Sequence, residues 1–534
     1  MSRSAITFRS AGVGESTVKN IVLTICDGDD RGVHEAHLSK YLGPAATDRI
    51  LDLIEKGQVR GKYKEFNLIN GDGSGRGLDW ILLMGLGRRA QLEDPSRRQD
   101  RIRSVLAIAA RHFRRKNIGR FAVEDFADYE VTPEHAGQMV VEGIVLGLYR
   151  FERYKTDASR KYPREQAIRE VVVLSDSDRT VLDDSIARGV VCAESTCLAR
   201  DLVNTPAADM TPEAFARVAR EVVASVGGLE IEVMEEADLE AAGMGLHLAV
   251  ARGSDNGPRV VIIRHRGGRG DGWDLALVGK GVTFDAGGYD LKPSPYMERM
   301  YGDMAGAAAV LAAMRTIGLM NVPLNVVGIM PLAENLVSGR AYKPGDILTS
   351  HKGLTVEVTN TDAEGRLLLA DALSLACSDY HPRHVVDIAT LTGAIVSALG
   401  QFVTGLFTYA ATDADNEAFA RQVFAAGRAT GEWVWRLPVD DDYKVQLSSD
   451  VADLENCDTD REAGAGSITA AVFLKEFIDF ESVQAWAHLD IAGTSMMKRR
   501  LIYNKCPYQP KEGATGVGVR LLTRLAVDLA RAAS

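Results

Sequence analysis

The heptapeptide Asn360-Thr361-Asp362-Ala363-Glu364-Gly365-Arg366 sets two acids and an arginine on one short stretch. It follows a β-rich apolar run, Leu354 to Val358, and precedes a helix-like run, Leu367 to Ala376. The acids therefore fall at the C-terminal end of an expected strand, where α/β folds commonly place ligands. Asp-x-Glu on a turn can aim two carboxylates at one point. Taken alone, the triplet is more often a solvated turn or a charge pair at a helix N-terminus. A second cluster changes that balance. Lys280, Asp285, Lys292 and Asp303 lie on Gly279 to Gly288 and the residues that follow. Together the clusters supply Asp285, Asp303, Asp362 and Glu364. Four carboxylates in one pocket repel, and some would stay protonated without cations. Two divalent cations would balance them. Oxygen-rich ligation suits zinc, manganese or magnesium, and paired metals are a recurring hydrolytic device. Lys280 is open to two readings, an ammonium paired with the acids or a neutral amine ligand. Deprotonating a free lysine at pH 7 costs about 4.6 kcal/mol, from a reference pKa near 10.4.

These side chains need strand ends and turns to position them. Trp273 to Val278 reads as a buried strand, and Lys280 and Asp285 leave its end on a Gly-rich turn that lets backbone approach a ligand. Asp303 heads a small-residue helix, Ala305 to Met314. Further strands are expected at Val260–His265, Leu324–Met330, His384–Ile388 and Ala485–Ile491, alternating with helices. That alternation predicts an α/β domain with a mixed sheet covered by helices on both faces. At 534 residues the chain is too long for one core. We expect a small N-terminal α/β domain over 1–178, a linking helix over 179–203 and a larger domain over 204–534. In the first domain, Asn20–Cys26, Trp80–Met84 and Glu170–Leu174 read as strands, and Arg101–Arg115 and His135–Leu148 as helices. Asp157 to Arg169 is charged, contains Pro163 and reads as an exposed connection.

Both clusters resemble the leucine aminopeptidase (cytosol aminopeptidase) family of two-metal exopeptidases. The heptapeptide at 360–366 matches that family's signature, and the spacings from Lys280 through Arg366 match its active-site order. Arg200 to Pro206, Ala389-Thr390-Leu391-Thr392-Gly393 and Trp486 to Gly493 also match. The resemblance covers Thr180 to Leu525, with a weaker reach back to Gly143–Phe151.

The resemblance implies a macro-like N-terminal domain, a catalytic C-terminal domain and two divalent metal ions, zinc or manganese. It makes Asp285 and Glu364 the bridging carboxylates. Lys280 and Asp303 would complete the tighter site and Asp362 the more exchangeable one. Lys292 would stay charged and stabilise the oxyanion of the tetrahedral intermediate. Arg366 would hold a bicarbonate ion, the general base, through its planar fork. Met300, Thr390, Leu391, Gly393 and Ala492 would line the pocket for the first residue, which fits Leu or Met. A free α-amine would be required, so the substrates are unblocked peptides. The family also implies a homohexamer of two stacked trimers. The chain departs from the family pattern at Ala286, at Tyr289 and Asp290, at Ala305, and at Thr494-Ser495-Met496. None of these removes a ligand; they bear on substrate preference and metal affinity.

Composition narrows the alternatives. Net charge is -11, with 46% hydrophobic and 25% charged residues, which is ordinary globular composition. An acidic chain is poorly suited to broad nucleic-acid binding. The best local basic run, Arg111 to Arg120, reads as a solvated helix face. Six cysteines without a Cys-x-x-Cys pair argue against a zinc knuckle or a disulfide scaffold. Met1 to Asn20 lacks a secretion-signal core and no apolar run approaches ~20 residues, so a cytoplasmic protein is expected. Gly85-x-Gly87-x-x-Ala90 imitates a dinucleotide turn, but Pro95 follows too soon for a convincing long helix. The remaining competitors are another two-metal hydrolase such as a phosphoesterase, a narrow-specificity dipeptidase, and a DNA-binding role on the same fold.

Overall fold

The computed structural model describes residues 6–156, 159, 167–458, 464–497 and 506–533. Most of the connection expected at Asp157–Arg169 lies outside them. The chain divides into two compact units, 1–194 with 500–511, and 195–499 with 512–534. The division falls inside one long helix, Arg179–Asn204.

Strands β1 (Thr7–Ala11), β2 (Asn20–Cys26), β3 (Phe66–Asn70), β4 (Trp80–Gly87), β5 (Arg120–Glu124) and β6 (Glu170–Leu174) form the sheet of the first unit. Their order is β1-β6-β5-β2-β4-β3, and only β3 runs antiparallel to its neighbour. The imitation dinucleotide turn ends β4 and leads into a short 3-10 turn, Arg89–Leu92; contrary to expectation a long helix, Pro95–Arg115, soon follows, because proline is accommodated in a helix's first turn. A Cβ on Gly85 would stand 2.0 Å from the Lys62 carbonyl, so that glycine serves a close backbone crossing. The basic run is likewise used internally. Arg111 donates to the carbonyls of Gly147 and Pro507, and Arg114 to that of Leu148.

The second unit is built on β7 (Leu229–Met234), β8 (Arg259–Arg266), β9 (Leu275–Gly279), β10 (Gly281–Asp285) and β11 (Asn325–Asn335). A small sheet follows from β12 (Ile347–Thr349), β13 (Thr355–Glu357) and β17 (Leu454–Glu455). The large sheet is completed by β14 (His384–Ala389), β15 (Thr404–Ala410), β16 (Val434–Arg436) and β18 (Ala485–Asp490). Its order is β16-β15-β18-β14-β9-β11-β8-β7, with β10 paired to β11. The centre is parallel, β18-β14-β9-β11, while β15 and β8 flank it in the opposite direction. Every residue of β9, β11 and β18 is buried, as expected when helices cover both faces. One apolar cluster packs Ala305–Leu319 and the C-terminal helix on one face. A second packs Gly365–Leu375 and Gly466–Lys475 on the other. This is the two-domain α/β architecture with a helix-covered mixed sheet. No disulfide forms among the described residues.

Candidate metal centre

The parallel strands carry the site at their C-terminal ends. Lys280 follows β9, Asp285 ends β10, Asn335 ends β11, Thr390 follows β14 and Asp490 ends β18. Asp285 and Asn335 are register partners across β10 and β11, beyond a β-bulge between Val282 and Phe284. A bulge re-aims side chains at a strand end. Asp303 precedes the helix Ala305–Leu319, which packs its first turn against β9 through Gly306. A Cβ on Gly306 would stand 2.1 Å from the Ile388 carbonyl and 2.9 Å from the Lys280 nitrogen. Asp362 and Glu364 lie on the turn that opens the helix Gly365–Leu375.

The structure brings the acids together. Oxygens of Asp285, Asp303 and Glu364 lie within 4.8 Å of one another, all buried. Lys280 Nζ sits 2.8 Å from both Asp303 Oδ2 and Glu364 Oε1, and donates to the Thr390 carbonyl at 3.0 Å. Lys292 Nζ sits 2.7 Å from Asp285 Oδ2 and 2.5 Å from Asp362 Oδ1. Asp303 Oδ2, Asp362 Oδ1 and Glu364 Oε1 are buried, and their described partners are the two lysine ammonium groups. Buried carboxylates matched only by positive charge fit cation ligands, because a buried charge must be paired or coordinate a metal. The donor set, four carboxylates and an amine, fits divalent zinc or manganese.

The electrostatics follow from burial and from this mutual arrangement. Burial, then Asp285 and Glu364, push Asp362 up to about 7. Burial raises Asp285 and lifts Asp303 well above the usual carboxylate range. Burial also presses on Glu364, but Lys280 and Lys292 outweigh it and hold that acid below its ordinary value. Burial pulls both lysines down, but the surrounding acids dominate and raise them. In this geometry Lys280 is an ammonium between carboxylates. The neutral-ligand role requires a dication to displace its proton, which metal binding does at its ligands.

Arg366 is nearly buried and donates through one terminal nitrogen to the Asn456 carbonyl at 2.9 Å. Among the described residues its Nε has no hydrogen-bond partner, and no ion pair links it to Glu364 or Asp362. Burial lowers its pKa. A desolvated guanidinium with an open donor fits a small planar anion.

The expected pocket residues are tied to this centre by two acids. Asp303 accepts from the Thr390 hydroxyl at 2.6 Å. Asp490, buried beneath, accepts from the Leu391 and Ala492 nitrogens at 3.2 and 3.1 Å and from the Thr392 hydroxyl at 2.7 Å. Thr392 caps the helix that Gly393 begins, and no atom stands within 4 Å of a Cβ built on Gly393. Met300 opens the 3-10 turn Met300–Gly302 just before Asp303. At that turn a Cβ on Gly302 would meet the Met496 sulfur at 2.3 Å, so the Thr494–Met496 departure does pack beside it.

Sequence reasoning missed the supports. Asn335 donates to Asp285 Oδ1 at 2.9 Å and to the Thr361 carbonyl at 3.0 Å. Tyr342 donates to the same carbonyl at 2.7 Å. Asn456 donates to the Asn360 carbonyl at 2.7 Å, and its side-chain oxygen accepts from the Thr359 nitrogen at 2.8 Å. Of these supports and Asp490, only Asp490 stood near the end of an expected strand; the strand expected to stop at Met330 runs on to Asn335. A cavity of about 260 Å³ lies at the opposite end of the same strands, lined by Asp274, Arg383, His384 and Phe419 among others, away from the acids.

Comparison with known proteins agrees with this geometry. Residues 197–523 match the catalytic domain of the cytosol aminopeptidase family, and residues 29–158 match its N-terminal domain. A probable cytosol aminopeptidase of Roseiflexus castenholzii is 42% identical over 485 residues, spanning 90% of this chain and 93% of its own. One from Alkaliphilus metalliredigens is 39% identical over 483 residues, 90% of this chain and 91% of its own. Among solved structures, the bottromycin maturation enzyme BotP in complex with Mn is 33% identical, with a TM-score of 0.79, covering 96% of this chain and all of that one. A mutant of tomato leucine aminopeptidase is 29% identical with a TM-score of 0.81, covering 98% of this chain and 97% of that one. On its sequence and its two-domain architecture, the chain belongs to the cytosol aminopeptidase family of hydrolases.

Proposed function

We propose that this enzyme removes the first residue from peptides with a free N-terminus, through two divalent cations, with Leu and other apolar first residues preferred. The convergence of buried Asp285, Asp303 and Glu364 carries the reading. Two cations, zinc or manganese, would be held by Asp285 and Glu364 jointly, with Lys280 and Asp303 at one position and Asp362 at the other, and would supply Lewis acidity and an acidified water. Manganese is in the description of one structural neighbour.

The chain's own residues divide the remaining work. Lys292 keeps its charge beside Asp285 and Asp362 and offers a fixed ammonium to the carbonyl oxygen as it gains negative charge. Arg366 would hold a bicarbonate ion through its guanidinium, and that anion would supply a general base. An unblocked α-amine is a donor that an internal peptide lacks, which explains exopeptidase selectivity. Met300, Thr390, Leu391, Gly393 and Ala492 line the pocket for the first side chain. All of this chemistry belongs to the second unit, which we take as the catalytic domain. A homohexamer and a cytoplasmic location accompany the reading, in keeping with the relatives' description as cytosol aminopeptidases. The likeness to a bottromycin maturation enzyme favours testing a narrow peptide specificity as the second reading.

Hydrolysis of leucine p-nitroanilide with added manganese or zinc, beside its N-acetylated form and a Glu364→Ala variant, tests this. Metal-dependent cleavage of the free-amine substrate alone, abolished in the variant, is expected. A folded, metal-loaded protein that cleaves nothing sinks the broad leucine-type assignment and directs attention to a narrow dipeptidase.

A further inference from the structure

The centre is assembled from two loops far apart in sequence. One, 285–292, carries Asp285 and Lys292; the other, 360–366, carries Asp362, Glu364 and Arg366. Their relative position sets both the metal spacing and the reach of Lys292. Asp290 and Thr361 bond across them, beside the Lys292–Asp362 ion pair. Its Oδ2 accepts from the Thr361 nitrogen at 2.8 Å, while its own nitrogen donates to Thr361 Oγ1, also at 2.8 Å. Thr361 is fully buried, and its hydroxyl lies within donating distance of the Gly287 carbonyl at 2.7 Å and Asp290 Oδ2 at 3.1 Å. The first loop turns at Gly287, where φ is +89°, and closes through the Lys292 nitrogen onto the Ala286 carbonyl at 3.0 Å. The neighbouring Tyr289 hydroxyl pins its other side, donating to the Ser338 carbonyl at 3.0 Å.

We infer that Asp290 is a positioning residue: it clamps the 285–292 loop onto Thr361 and so fixes Lys292 and Asp285 relative to Asp362. Its carboxylate touches neither the proposed ligands nor Lys292 Nζ among the described contacts. It acts through the two backbone loops, as outer partners of metal ligands do. The inference rests on reading this centre as the metal site, and it goes further by assigning a role to a residue outside the ligand set.

The test compares Asp290→Ala and Asp290→Asn with the wild type. The asparagine keeps an oxygen that can accept from the Thr361 nitrogen, whereas alanine removes it. The readouts are manganese binding by equilibrium dialysis, and kcat and KM on an aminoacyl p-nitroanilide. For Asp290→Ala we expect the weaker manganese site to lose roughly tenfold in affinity, with kcat down about tenfold or more and KM within about threefold. Asp290→Asn should recover both to within about threefold. A general loss of fold would not be rescued in this pattern. Asp290→Ala with affinity and kcat within about twofold of wild type overturns the clamp, as does an Asp290→Asn variant equally impaired. Should the wild type bind manganese but cleave no aminoacyl amide, the proposed substrate class fails, while the manganese titrations of both variants still decide the clamp.

Discussion

Lys280 carries the sharpest chemical demand in the molecule. Nearly buried, it faces Asp303 and Glu364 at 2.8 Å, and those acids hold its proton tightly. A ligand role requires that proton to leave as a dication arrives. Cation binding is therefore linked to proton release, and manganese or zinc should raise the melting temperature by mass action on the folded state. We expect a rise of several degrees in wild type at saturating manganese and a much smaller one in Asp303→Asn, read by differential scanning calorimetry. An equal rise in both would place the cation elsewhere. Lys292 poses a different demand, since it must keep its charge. Lys292→Met should lower kcat by roughly 10²- to 10³-fold, the scale of losing one preorganised oxyanion donor, with a smaller change in KM. Steady-state kinetics check it; a kcat within tenfold of wild type would remove Lys292 from that role.

Elements matter where backbones cross. The helix Ala305–Leu319 can approach the ends of β14 and β9 only because Gly306 has no Cβ to strike the Ile388 carbonyl and the Lys280 nitrogen. Gly306→Ala should push that helix off the strand end, destabilise the fold by about 1–3 kcal/mol and cut activity more than tenfold, because Asp303 and Lys280 move apart. Ala305 sits one residue earlier, buried, at the first helical position. Ala305→Gly should cost less, about 0.5–1 kcal/mol, and leave the ligand geometry intact. Denaturant unfolding of the two variants separates them. The helix Gly365–Leu375 carries another buried acid, Asp371, which accepts from the backbone nitrogens of His247 and His351 at 2.9 and 2.8 Å. It ties the signature helix to two neighbouring segments.

Asp371 also makes a prediction about the whole molecule. Burial raises it to about 7, against those backbone donors, so the folded chain binds its proton more tightly than the unfolded chain. The folded pKa lies above the unfolded one, so this group favours folding at acid pH. Its contribution falls as pH rises from about 4 to about 7, with a slope of up to about 1.4 kcal/mol per pH unit. Asp371→Asn should flatten the pH dependence of stability across that window, measured by urea unfolding from pH 5 to 8. An unchanged slope would show that the acid is ionised in the fold. At the scale of assembly, light scattering should return about six times the mass of one chain; a monomer that retains full activity would refute the hexamer as a requirement. No helix among the described residues is long and apolar enough to cross a membrane.

The sequence by itself determined the strands and the ligand-type residues that leave them. The runs at Asn20–Cys26 and Glu170–Leu174 are apolar and short and form β2 and β6 with those bounds, and the run Trp273 to Val278 forms β9 with its ends shifted by one or two residues. Buried parallel strands announce themselves because both faces must be apolar. Asp285, Asp362 and Glu364 were legible because each follows such a run within a few residues. Edge and flanking strands were not: β1, β3 and β7 alternate or are half-exposed, and their pairing depends on partners distant in sequence. Tertiary structure alone decided what holds the acids still. Asn335 reaches Asp285 and Thr361, Asp490 gathers Leu391 and Thr392, and Asp290 bonds across to Thr361. Each is an ordinary polar residue in the sequence. Its role arises only when sheet order brings segments together that are 26 to 99 residues apart, since a hydrogen bond needs its partner within about 3 Å whatever the distance along the chain.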